Sequence, residues 1–476
     1  MNTRNIIISI ASLAVFFGCR SAVVDPNPVL DIAGGKVQGV ATQTEGVIAY
    51  KGIPFAAPPV GDLRWKAPQP VITWEGVKVC DSFGNACPQP PHGEFGLYEK
   101  EFFSDGDAPF SEDCLYLNVW TPASGKTEAN LPVCVWTHGG GYVAGWGFEK
   151  EMDGEAWAKR GVILVTLNYR LGIYGCLAHP ELSAEDPHNS SGNYGFLDQL
   201  AAILWVKDNI RQFGGNPEDI TVMGQSAGAG SVMNQVSSPL SKGLIKKAII
   251  QSGGGGTIDG TTDVAERKAA KENACKEMMD SYGFTSLEKM RAASTQEIWE
   301  AYDEFSRENR GKIEWRPCPE GWSLFETFFE AVENRHVADI PYMIGSVQDD
   351  MEGAPKAAMK LAEMRLAYSD KPVYTYQFAR PLPGDDEGAF HSSELWYMFG
   401  TLDRCWRPFI QGDYDLSEYM LDCWTNFAKY GNPNGPDGGK WLPYGETNHL
   451  SMIFKLDENE KEASEMGEFL PKMKHF

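Results

Sequence analysis

Apolar runs and amphipathic stretches alternate along this chain from about Gly34 to Phe454, separated by polar, glycine-containing turns, with no internal repeat and no low-complexity segment. Mixing the two periods in this way predicts a mixed β-sheet flanked by helices, because each element can bury its apolar face only against the other kind. Four runs read as strands: Leu131-Pro-Val-Cys-Val-Trp-Thr137, residues 219–225, Ile340-Pro-Tyr-Met-Ile-Gly345, and Tyr374-Thr-Tyr-Gln-Phe378 with its alternating aromatics. Asp263 with Glu266, Thr285 with Glu288, and Ser294 with Glu297 each have the spacing of a helix N-cap and its N3 acid. They predict an inserted helical region that forms a cap, although the charge-rich stretch 265–277 equally suits a solvated structural helix.

The strand at 219–225 runs directly into Gly224-Gln-Ser-Ala-Gly228 and then into a helical pattern. That is the sequence of a nucleophile elbow, a strained turn that pushes a serine hydroxyl out over the end of a sheet. Serine is a weak nucleophile at its free pKa, so Ser226 needs a base, an acid to orient that base, and donors for the developing oxyanion. Donors are expected from His138-Gly-Gly-Gly-Tyr142, about 85 residues upstream, which follows the strand at 131–137. Glycines there let backbone N–H groups approach a substrate oxygen, and the amides of Gly140, Gly141 and Ala227 are the candidates. A glycine run alone would mark only a flexible turn; the elbow downstream gives it a use.

Chain order in this kind of site is serine, acid, histidine. Of the eight histidines, His92, His138, His179 and His188 precede Ser226, and His449 and His475 fall in a polar C-terminal stretch. His336 comes before the strand that should present the acid. His391, after the 374–378 strand and a Pro/Gly/Asp loop, has the right order. For the acid, Gly345-Ser-Val-Gln-Asp-Asp-Met-Glu-Gly353 offers Asp349, Asp350 and Glu352, of which only one can orient the imidazole. Asp350 is the first choice and Glu352 the alternative.

Several motifs together resemble the type B carboxylesterases, the cholinesterase-like branch of the α/β hydrolases. They are Gly52-Ile-Pro-Phe-Ala-Ala-Pro-Pro-Val-Gly-Asp-Leu-Arg-Trp65, Ser111-Glu-Asp-Cys-Leu-Tyr-Leu-Asn-Val-Trp120, Asn168-Tyr-Arg-Leu-Gly172, Gly192-Asn-Tyr-Gly-Phe-Leu-Asp-Gln199, the elbow, and Ser252-Gly253. In the last third the likeness is clear at His391-Ser-Ser-Glu-Leu395 and loose around the acid, where the family has Asp-Glu-Gly. Counting from Gly345 assigns Asp350, and counting back from Gly353 assigns Glu352. The resemblance implies an α/β hydrolase fold, hydrolysis of carboxylic esters through an acyl-enzyme, a buried ion pair between Glu112 and Arg170, and a disulfide between Cys87 and Cys114. Gln225 departs from the family, whose members commonly carry Glu there; an amide can still hold a hydrogen bond but stabilises an imidazolium less.

No phosphate-binding loop, His-Glu-x-x-His helix or paired Cys-x-x-Cys is present, so no cofactor and no metal is expected. A formal charge of −23 argues against nucleic acid or anionic lipid as partners. With 42% hydrophobic residues there is ample core for one large domain. Met1-Asn-Thr-Arg-Asn5 followed by an apolar stretch to Gly18 reads as a signal peptide over residues 1–18, too short to span a membrane. Cys19 would then carry a lipid, residues 19–28 would form a tether, and residues 29–476 a single catalytic domain on the periplasmic or outer side of a membrane. Cys134 and Cys176 sit in strand-like apolar contexts and read as buried thiols.

Two functions follow from these residues. One is a serine esterase acting on small-molecule or polysaccharide-linked esters, with carbohydrate and aromatic acyl esters among the candidates. The other is a catalytically inactive adhesion or binding protein of the same fold, which would be expected to have lost Ser226 or His391.

Overall fold

The computed structural model describes residues 25–93, 96–253, 263–351 and 353–472; the expected signal peptide, Cys19, Glu352 and His475 lie outside them. In chain order the strands are β1 (Val29–Ile32), β2 (Gly35–Gln38), β3 (Val40–Ala41), β4 (Ile48–Pro54), β5 (Val77–Val79), β6 (Tyr116–Thr121) and β7 (Leu131–Thr137). They continue with β8 (Ile163–Leu167), β9 (Gly215–Gln225), β10 (Ile245–Gln251), β11 (Tyr342–Val347), β12 (Val373–Phe378), β13 (Ser451–Phe454) and β14 (Glu465–Gly467). β1, β2 and β5 form a small sheet, and the rest join in one sheet of order β14-β13-β12-β11-β10-β9-β7-β8-β6-β4-β3. From β8 across to β13 all neighbours run parallel, and antiparallel pairs close both flanks.

Parallel strands covered on both faces have no solvated side, which is why these segments read as near-continuous apolar runs. Every residue of β8, β11 and β12 is buried. Alternation still decides which layer a side chain enters: Val133 and Val135 belong to one core cluster, with helices Tyr194–Asn209 and Ala227–Ser237, while Cys134 and Trp136 belong to the other, with helix Gln411–Tyr430. β7 lies between β8 and β9, so the chain leaves it toward one side and returns on the other. Such a switch of direction opens a crevice at the carboxyl ends of the strands, where ligands bind in open α/β sheets.

The helical insertion forms much as its caps predict. Asp263 accepts from the Glu266 amide at 2.9 Å ahead of helix Val264–Ser281, and Ser294 and Glu297 cap helix Thr295–Glu308 reciprocally. One cap is corrected: helix Leu287–Ala292 is capped by Ser286, not Thr285, its hydroxyl accepting from the Lys289 amide. The carbonyls of Pro26 and Pro28, in the segment expected as tether, accept from the amides of Ala41 and Gly39.

The expected Glu112–Arg170 pair is not formed. Glu112 is gripped by Arg64 through two bonds of 2.7 and 2.6 Å, and Arg170 by Asp198 at 2.8 and 2.7 Å. Both pairs are buried. Arg64 is the better partner for Glu112 because its remaining N–H groups also reach the carbonyls of Met290 and Ala293 at the end of a cap helix. Cys87 and Cys114 are likewise not joined: both are buried free thiols, Cys114 in hydrogen-bond contact with Cys87, a contact that, with burial, pushes the Cys114 thiol well above its usual range. The fold brings the two sulfurs together, whereas their oxidation depends on the redox potential of the compartment.

Candidate active site

Four strand ends supply the site. β9 ends at Gln225, and Ser226 follows with φ 59° and ψ −122°, a strained conformation for a residue bearing a side chain. The turn is held by backbone contact. A Cβ on Gly224 would collide with the backbone of Gly228, and one on Gly228 with the carbonyl of Thr137 at the end of β7, so neither position tolerates a larger residue. Helix Ala227–Ser237 starts immediately afterwards.

Beyond β7, Gly140 and Gly141 adopt φ values of 88° and 65°, and the chain turns back so that the Ala144 amide donates to Gly140 O at 2.9 Å. Among the described residues no hydrogen bond engages the amides of Gly140 and Gly141. Gly141 and Ala227 line a cavity of about 300 Å³ together with Ser226 and His391. Gly140 sits one residue behind that wall.

Asp350 follows β11 and His391 follows β12. His391 Nδ1 lies 2.6 Å from Asp350 Oδ1, with both residues buried. The Asp350 carboxylate also accepts from the amides of Met351 at 2.7 Å and Val347 at 3.3 Å. Asp349, the neighbouring carboxylate, has a different use: it accepts from the Ala389 amide at 2.8 Å and so fixes the loop that carries His391. Burial pulls the His391 pKa down, but the charge and hydrogen bond of Asp350 and the charge of Glu394 outweigh it and hold the imidazole above its ordinary value.

Gln225, expected beside the histidine, is there: its Nε2 stands 3.2 Å from His391 Nε2. Sequence reasoning missed two residues. Glu394 is fully buried, and desolvation, then the charge of Asp350, push its carboxyl up to about 7. Its place three residues after His391 was the available signal. Arg316 lines the cavity wall from the segment following the cap helices, and no motif marked it. Among the described residues no cluster of side chains suits a metal ion, and no helix is long and apolar enough to cross a membrane.

A mostly parallel sheet with a serine at a strained strand-to-helix elbow, and an acid and a histidine beyond later strands, defines an α/β hydrolase with the layout of a serine esterase. Comparison with known proteins agrees. The chain belongs to the carboxylesterase family, whose model matches residues 26–364 and 354–473, and it is a carboxylic ester hydrolase. It is 32% identical over 498 aligned positions to para-nitrobenzyl esterase of Bacillus subtilis, covering 92% of this chain and 97% of that one. It is 38% identical over 328 positions to fumonisin B1 esterase of Sphingopyxis macrogoltabida, covering 68% and 57%. A solved structure of a para-nitrobenzyl esterase superimposes with a TM-score of 0.77 at 29% identity, over 92% of this chain and 97% of that one. A carboxylesterase of Geobacillus stearothermophilus does so with 0.75 at 27% identity, over 93% and 98%.

Proposed function

We propose that Ser226, His391 and Asp350 carry out ester hydrolysis through an acyl-enzyme. The observation that carries this reading is the 2.6 Å contact of His391 Nδ1 with buried Asp350, at a histidine that shares the cavity wall with the elbow serine. With its Nδ1–H given to the carboxylate, the imidazole presents the Nε2 lone pair, the form required of a general base. Ser226 Oγ attacks the ester carbonyl as Nε2 takes its proton, and the oxyanion is met by amides of Gly140, Gly141 and Ala227. The imidazolium returns the proton to the departing alcohol, and water then repeats the sequence on the acyl-serine. Each oxyanion donor is worth about 3 kcal/mol in the transition state.

Ser226→Ala and His391→Ala should each lower kcat by about 10⁴-fold or more, because the two groups act as one unit, with circular dichroism unchanged. A variant with wild-type turnover on an ester that the parent hydrolyses would overturn the assignment. The inactive-binder alternative is disfavoured, since nucleophile and base are both retained and share one wall.

The small cavity suits short or aromatic acyl groups, including those borne on carbohydrates. The basic start and apolar stretch ending at Gly18-Cys19 support export with a lipid on Cys19, and the sulfur contact supports a Cys87–Cys114 bond in an oxidising compartment. The mass of the mature N-terminus and a thiol count on the purified protein test both.

A further inference from the structure

We infer that the ester taken by this site carries a free carboxylate, received by Arg316 at the cavity wall; the inference rests on the ester-hydrolase reading of the same site. Arg316 lies between the cap helix Thr295–Glu308 and helix Phe328–Glu333. Apart from His391 it is the one basic side chain among the described residues that line the cavity.

Its backbone is held from behind. Lys271 Nζ donates to Arg316 O at 2.7 Å, and two residues on, Cys318 is clamped by Asn193, which accepts from its amide at 3.0 Å and donates to its carbonyl at 2.8 Å. Pro317 and Pro319 flank that clamp and stiffen it. A fixed backbone beneath a long side chain is what a recognition site needs, because less ordering remains when the ligand arrives.

The guanidinium, in contrast, is under-used. Its Nε lies 3.3 Å from Glu314 Oε2 in an exposed pair, and among the described residues no hydrogen bond engages its terminal nitrogens. The side chain is 37% exposed, so the guanidinium is only partly desolvated. Glu326, the other charged residue on the wall, makes no direct pair with it among the described residues: its oxygens are engaged by His336 Nδ1 at 2.5 Å and Asn334 Nδ2 at 2.6 Å. Arg316 also lies near enough to Tyr142, next to Gly141, for its charge to oppose part of the rise that burial causes in the phenol. A cation thus stands beside the oxyanion loop with a planar fork of donors free for a carboxylate, the group that fork pairs with in two parallel bonds. Asn234 on the same wall offers an amide that has no hydrogen-bond partner among the described residues. In a molecule of charge −23, an anionic substrate would meet repulsion at long range, so its selection requires such a local cation.

The test uses matched pairs, each an anion and its neutral primary amide with a single ester bond, followed by pH-stat. One pair is 4-nitrophenyl hydrogen adipate and its amide, with the carboxylate on the acyl side; the other is O-butyrylglycolate and O-butyrylglycolamide, with the carboxylate on the alcohol side. Wild-type enzyme should prefer the anion in one pair by about tenfold or more in kcat/KM, and the pair that shows it locates the carboxylate. Arg316→Gln should bring that pair to near parity, Arg316→Lys should restore part of the preference, and added salt should weaken it. Because each ratio is internal to one enzyme, a general loss of activity does not imitate the result. Equal ratios in wild type and Arg316→Gln, or no preference in either pair, would overturn the inference. The esters capped as amides test the parent reading separately: hydrolysis of their one ester bond, lost in Ser226→Ala, upholds the esterase even when the carboxylate preference fails. No hydrolysis of any ester would remove both.

Discussion

Gln225 meets His391 on the nitrogen that, in the proposed mechanism, takes the Ser226 proton. In the resting state its amide N–H satisfies the Nε2 lone pair and favours the neutral ring. Once Nε2 is protonated, two donors face each other, and the amide must turn its oxygen inward before it helps. A carboxylate at 225 would attract the imidazolium directly. Gln225→Glu should therefore raise the His391 pKa further. The base works only when neutral, so the acid limb of the kcat/KM profile should move to higher pH. Glu394→Gln removes a charge that now holds the imidazole up, and should move the same limb to lower pH. Profiles that coincide with wild type in both variants would show that neither group acts on the base.

Among the elements, the central strands and the elbow were legible because their reasons are local: buried parallel strands must be apolar, and a strained turn must have glycine where backbones touch. Caps were legible to within one residue. Thr285 and Ser286 are adjacent hydroxyls, and only the packing of helix Leu287–Ala292 decides between them. Ion pairs were not legible, since Glu112 could choose its cation only after the cap had folded against Arg64. The same holds for Arg316, which in sequence is one loop cation among many. The Arg64–Glu112 pair links the 61–65 segment to the cap, and a double-mutant cycle can weigh it. Arg64→Met should cost about 3 kcal/mol by stranding the buried Glu112 charge, measured by urea unfolding. Glu112→Gln in that background should cost much less than alone, while Glu112 and Arg170 should show no comparable coupling.

At the scale of the whole molecule, stability should depend on pH through carboxyls that burial keeps protonated. Glu149, after the glycine turn that follows β7, is pushed up to about 7 by desolvation, which outweighs the hydrogen bonds from the Trp146 amide and Glu151. Glu151 is buried and raised well above 4.5 by desolvation and then by the charge of Glu149. In the unfolded chain both ionise near 4.5. Between there and the raised folded values the native state holds more protons than the unfolded one, so stability falls as pH rises through that window. Glu151→Gln should remove part of the slope and stabilise the protein more at pH 8 than at pH 5. Equal gains at both pH values in denaturant titrations would mean that Glu151 is already charged at no cost.

The distribution of the site over β7, β9, β11 and β12 also sets an order in time. Gln225 and His391, in contact in the folded protein, are 166 residues apart in the chain. A ribosome therefore finishes the nucleophile and its elbow long before it reaches the base, and every shorter chain holds a serine with nothing to take its proton. On the proposed mechanism, catalytic power therefore arrives late in synthesis and all at once.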